Sequence, residues 1–91
     1  MEKKAVKFRV YGIVQGVSYR YSALKEAKHL NIGGWIRNLS DGSVEGYAEG
    51  ELESVDKFIS WCRKGPYLAK VEKFVLEEVE PLNYTDFEIR Y

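Results

Sequence analysis

Ninety-one residues suffice for a single domain, 1–91, built on one core. A composition 45% hydrophobic and 31% charged excludes a disordered chain. Fourteen basic and fourteen acidic residues cancel, which argues against a protein whose main task is to coat nucleic acid.

The start, MEKKAVKFRV, is charged and is no signal peptide, and no apolar run approaches membrane-spanning length. The expectation is a cytoplasmic protein without a membrane partner. The single cysteine, Cys62, cannot form an internal disulfide, and with one His beside it a His/Cys metal site is set aside. The chain is rich in Glu and Lys and has a single Gln, a bias similar to that of heat-adapted proteins.

From Ala5 to Ile13 the sequence alternates, with Val6, Phe8 and Val10 on one face and Lys7, Arg9 and Tyr11 on the other; this predicts a first strand. The run Gly12 to Arg20, GIVQGVSYR, follows. It places two glycines and an arginine between a strand and a helix, where backbone N–H groups can turn inward as an anion nest backed by a helix N-terminus. Gly16 supplies the backbone freedom that such a nest needs. Arg20 offers a planar cationic fork for two phosphate oxygens. No Gly-Lys-Ser/Thr follows, so this is no Walker loop. Gln15, the one glutamine, lies inside the nest, which hints at a task for its amide.

Helix one is expected from about Ser22, a candidate N-cap, or from a residue or two earlier within the loop itself, to Leu30, with Ala23, Leu24, Ala27 and Leu30 as its apolar stripe and Gly33-Gly34 as its stop. His29 reads as an exposed residue of its last turn. A short strand over Trp35–Asn38, an Asp-Gly turn in LSDG and a strand from Val44 form a hairpin. The small residues Gly46 and Ala48 on its second strand leave room for a close helix. Helix two, from about Ser54, a candidate cap, to Lys64, carries the stripe Val55, Phe58, Ile59 and Cys62 and ends at Gly65-Pro66. Cys62 on that stripe reads as a small core hydrophobe. Val71 to Val79 is a strand whose apolar phase shifts at Phe74-Val75, which suggests a bulge or burial on both faces. A last strand covers Phe87 to Tyr91.

The order is β-α-β-β-α-β with one extra strand. This is an α+β, ferredoxin-like arrangement in which two helices pack on one face of an antiparallel sheet and strands one and three are central.

VYGIVQGVSYR and GWIRN…DGSVEG together resemble the two signature motifs of the acylphosphatase family, in order and at the right separation. The resemblance spans essentially the whole chain. It implies an enzyme that hydrolyses the carboxyl–phosphate bond of acyl phosphates without a metal or other cofactor. By the same resemblance, Arg20 is the catalytic, phosphate-binding arginine. Asn38 orients the attacking water, and Gln15, Gly16, Val17, Ser18 and Tyr19 hold the phosphate through the loop backbone. Tyr19 stands where phenylalanine is usual and Ile36 where a smaller aliphatic is usual; both read as packing variation. Inorganic phosphate is the expected product and competitive inhibitor, and a monomer the expected state.

Three rivals are weighed against this. Ferredoxin-like domains also bind RNA through aromatics on the sheet, and Tyr11, Trp35, Tyr47 and Phe87 lie on strands. The neutral chain lacks the basic signature of that module, so no nucleic-acid partner is expected. Acylphosphatase-like domains also occur within larger hydrogenase-maturation proteins, and a chain ending after its last strand favours the free enzyme. The third rival is a phosphate-sensing partner for which hydrolysis is incidental.

Overall fold

The computed structural model describes residues 2–91. Seven elements follow one another among them: β1 (Lys3–Ile13), α1 (Tyr19–His29), β2 (Gly33–Asn38), β3 (Val44–Glu51), α2 (Leu52–Lys64), β4 (Lys70–Val79) and β5 (Phe87–Arg90). One sheet contains all five strands in the order β4-β1-β3-β2-β5, so the expected central pair is observed.

The sheet is mixed, where an antiparallel one was expected. The pairs β1–β3, β1–β4 and β2–β3 are antiparallel, but β5 runs parallel to β2. The route of the chain explains this. β4 ends with Val79 opposite Ala5, near the start of β1. The connection then crosses that same end of the sheet, where Glu49 Oε1 accepts the Tyr84 N–H (2.6 Å) and the Leu82 N–H (3.3 Å). Gly34 N–H finally donates to the Asp86 carbonyl (2.8 Å). A strand entered from that end has to run in the same sense as β2.

One face of the sheet is buried. Val6, Phe8 and Val10 of β1 join Ile36, Val44, Ala48 and Phe87 in one cluster, closed by Ala23 and Ala27 of α1 and by Val55, Phe58, Ile59 and Cys62 of α2. The room left by Gly46 is taken by a ring rather than by a helix backbone, because a Cβ there would overlap Phe8. That ring meets Phe58 edge-on at 6.2 Å and stacks on Phe74 at 5.7 Å, aromatic geometries that add to the area they bury.

Three local expectations change. First, α1 begins at Tyr19, so Ser22 lies within the helix. Ser18 holds the cap position in a left-handed conformation, with no side-chain capping bond. Second, α2 begins at Leu52, because its first N–H donates to the Glu2 carbonyl (3.0 Å) and needs no serine cap. Third, the irregularity of β4 lies lower than Phe74-Val75. Tyr11 pairs with Lys73 and Gly12 with Val71, which leaves Glu72 as the extra residue. The apolar phase shift at Phe74-Val75 has another cause. Phe74 turns inward to Phe8, while Val75, opposite Arg9, is 45% exposed on the open face, so β4 is not buried on both sides.

Candidate active site

The bulge opposite Glu72 marks where β1 hands over to the loop. Gly12, at φ 127°, sits against the Lys70 carbonyl so closely that a Cβ would overlap it. Only glycine lets the strand turn there without breaking its contact with β4. From this point the loop alternates anchors with outward residues. Val14 and Tyr19 are buried in the core and Val17 packs against it, whereas Gly16 and Ser18 are exposed.

Gly16 (φ 76°) and Ser18 (φ 65°) both have left-handed backbones. Left-handed turns of this kind bring successive N–H groups to one side of the chain. For serine, the conformation carries a cost of order 1–3 kcal/mol, a type of strain concentrated at ligand-holding sites. Among the described residues no hydrogen bond takes the N–H groups of residues 15–18. The first helical bond of α1 is Ser22 N–H to the Ser18 carbonyl (3.0 Å), so the N–H groups of Tyr19, Arg20 and Tyr21 lie free at the helix end, as at any helix start. Space beyond Gly16 is open: a Cβ there would touch nothing within 4 Å. The result is a cup of main-chain donors at the positive end of a helix dipole.

Arg20, in the first turn of α1, is partly buried, and its guanidinium carbon lies 5.2 Å from the centre of the Tyr91 ring. It forms no ion pair among the described residues. The arginines of the open sheet face are committed instead. Glu45 takes Arg37 at 2.8 Å and Arg9 at 3.4 Å, and Arg90 lies 3.8 Å from Glu88. Burial pushes the Glu45 carboxyl up, but its two guanidinium partners together hold it below the usual range.

Asn38 is the last residue of β2, paired with Val44, and shares the helix-facing side with buried Ile36. Its Oδ1 is buried and has no hydrogen-bond partner among the described residues. Such an orphan is costly unless something outside the chain donates to it. The turn that follows is tightly closed: Leu39 N–H donates to the Ser43 carbonyl (2.8 Å) and Gly42 N–H to the Leu39 carbonyl (3.2 Å). Asp41 Oδ1 accepts the Ser43 N–H (2.9 Å) and the Ser43 hydroxyl (2.5 Å), and the hydroxyl contact foremost holds the Asp41 carboxyl below its ordinary pKa.

Gln15 brings the two halves together. Its Nε2 donates to the Leu39 carbonyl and to the Ser43 carbonyl, both at 2.8 Å, so the loop at 15–20 lies against the strand end that carries Asn38. The amide therefore has a task, as its place in the sequence hinted, although its hydrogens point at the hairpin and leave only the main chain of Gln15 for the cup.

Tyr19 has a role that the sequence reading missed. Its hydroxyl donates to the Cys62 carbonyl at 2.6 Å, and its ring lies 5.6 Å from Trp61 and against Gly65. Within α2, that carbonyl would ordinarily take the N–H four residues on, but position 66 is proline and has none. The signal was present as a proline four places after Cys62. Burial pushes both the Tyr19 hydroxyl and the Cys62 thiol far up, so both stay protonated and the thiol is unavailable as a nucleophile.

Among the described residues no three His, Cys, Asp or Glu side chains gather as metal ligands, and no helix is long and apolar enough to cross a membrane. A model of the acylphosphatase family matches residues 6–89. An acylphosphatase of Geobacter sulfurreducens is 41% identical over 83 residues, covering 90% of this chain and 91% of that protein. The solved structure of an acylphosphatase from Coxiella burnetii superposes with a TM-score of 0.92 at 39% identity, covering 97% of this chain and 93% of that one. A segment amounting to 12% of full-length HypF is also similar, with a TM-score of 0.90 at 31% identity over 99% of this chain. A match that runs from β1 into β5 and takes in both the amide cup and the strand end bearing Asn38 leaves no other assignment: the chain belongs to the acylphosphatase family.

Proposed function

We propose that the cup at Gln15–Arg20 holds the phosphoryl group of an acyl phosphate and that Asn38 steers the water that attacks it. The observation that carries this reading is the pairing of a cup of unspent N–H groups with a buried carboxamide oxygen that lacks a donor, joined through Gln15. The cup and the Arg20 guanidinium bind the equatorial oxygens and stabilise their charge in the transition state. Asn38 Oδ1 accepts one hydrogen of the water and turns its lone pair toward phosphorus, opposite the leaving group.

Water oxygen then bonds to phosphorus as the phosphorus–oxygen bond to the acyl group breaks, and the electron pair leaves on a carboxylate. A carboxylate is stable near neutral pH, so the step requires no general acid. The proton lost by the water passes to a phosphate oxygen of the substrate. Positioning and charge stabilisation account for the catalysis, which fits a site with no titratable acid–base pair. The cup, Arg20 and Asn38 all come from one chain, so the proposal takes the enzyme to act as a monomer, in the cytoplasm.

The test is hydrolysis of benzoyl phosphate by purified protein. Arg20→Gln is expected to lose both binding and turnover. Asn38→Ala is expected to lower kcat by roughly 10²–10³ with a smaller change in KM, as for a lost oriented hydrogen-bonding group. Inorganic phosphate should compete with substrate. If Asn38→Ala weakened binding and left turnover intact, the water-steering role would be wrong.

A further inference from the structure

We infer that the Gln15 side chain is a positioning residue for the hydrolytic reaction: it sets the distance between the phosphate cup and the Asn38 water site. This rests on the reading of the cup and Asn38 given above. Nε2 carries two hydrogens, and both are used, on the carbonyls of Leu39 and Ser43 at 2.8 Å each. Each of those oxygens already takes one hydrogen bond from the turn itself, from Gly42 N–H and Leu39 N–H respectively. Gln15 fills the second lone pair of each.

Among the described residues no other side chain bonds to either carbonyl. The contact point is the residue directly after Asn38, while the donor is the first residue of the cup. A shift between these two segments would move the water relative to phosphorus, and in-line transfer is sensitive to displacements of about 1 Å, which can cost roughly 10²-fold. The amide oxygen of Gln15 has no partner among the described residues and no part in the strap. A side chain of similar length without N–H donors should therefore lose the whole effect.

The geometry distinguishes this role from simple bracing. Gln15 fixes where Asn38 stands, so its contribution should vanish once Asn38 has no amide. The experiment is a double-mutant cycle of Gln15→Met and Asn38→Ala on benzoyl phosphate, with the inhibition constant for inorganic phosphate measured in each variant and folding checked by urea denaturation. Gln15→Met alone is expected to lower kcat by roughly 10–100-fold while phosphate inhibition changes by less than about threefold. In the Asn38→Ala background the same change should cost less than about threefold in kcat. Gln15→Glu, which puts a carboxylate against two carbonyls, should be at least as impaired as Gln15→Met. An equal loss in both backgrounds, an unchanged kcat in Gln15→Met, or a loss of phosphate affinity matching the loss of kcat would each overturn the inference. An unchanged kcat in Asn38→Ala alone would refute the underlying assignment of Asn38, which the cycle reads separately.

Discussion

Tyr19→Phe is the substitution that best tests the physical account of the loop. It removes one oxygen and keeps the ring, so the contacts with Trp61 and Gly65 survive and no sizeable cavity opens. What it removes is the donor for the Cys62 carbonyl, which Pro66 leaves without its usual helical partner. An acceptor stripped of its partner in a buried setting costs about 1–3 kcal/mol. At the lower half of that range, a domain of this size should melt roughly 4–16 °C lower. The change is the one that family resemblance would recommend, since phenylalanine is the residue expected there; the local chemistry gives the opposite sign. Urea and thermal melts followed by tryptophan fluorescence would measure it, with Trp61 as a neighbouring reporter. Turnover on benzoyl phosphate at 25 °C should remain within about twofold per folded molecule, a barrier change of roughly 0.4 kcal/mol. An unchanged melting temperature would refute the orphan-carbonyl reasoning. A fall in kcat comparable to that of Asn38→Ala without loss of stability would instead make the Tyr19 hydroxyl part of the chemistry.

Other expected outcomes follow from the same structure. Burial raises the pKa of Cys62, Tyr19 and Tyr47 above their unfolded values, so their contribution to stability is complete below about pH 8.5 for the thiol and about pH 10 for the phenols, and is lost as pH rises further. Urea titrations across that window should show falling stability, with a shallower decline above pH 10 for Tyr19→Phe. Gly12→Ala should destabilise by about 2–3 kcal/mol, combining a left-handed backbone with overlap at the Lys70 carbonyl, and should lower kcat because the loop is re-aimed; a stable, fully active variant would remove Gly12 from the account. Glu49→Ala leaves the Tyr84 N–H without its acceptor, while the Leu82 N–H keeps the Tyr47 hydroxyl at 3.0 Å, and should cost on the order of 1–3 kcal/mol, with proteolysis first appearing within 80–86; cleavage elsewhere would contradict that anchoring. Turnover measured with EDTA should equal that without it, and inhibition by the chelator would contradict the proposed route.

Much of this architecture could be read from periodicity. The stripes on β1 and α2, and the Asp-Gly turn, announce themselves because each element buries a single face. The parallel placement of β5 was hidden, since it depends on a connection held by the Glu49 carboxylate and the Tyr47 hydroxyl, both distant in sequence from the segment they hold. Helix starts were misplaced for a related reason. Serines at 22 and 54 looked like caps, but α1 is entered through a strained Ser18, and α2 has its first N–H taken up by the Glu2 carbonyl. Within the site, Arg20 and the glycine loop were legible as chemistry. The bonds from Gln15 to residues 39 and 43 were not, because their length depends on how two distant segments dock.

The two rims of the sheet differ in a way that bears on solubility. β4 is ten residues long and leaves one row of its main-chain groups without a neighbouring strand. Lys70, Glu72, Lys73, Glu77 and Glu78 along it are all exposed. A foreign strand attempting to extend the ladder there would have to bring its own side chains into that fringe of mixed charge and strip it of water, whereas the opposite rim, β5, offers four residues. The protein thus guards one border by electrostatics and the other by brevity.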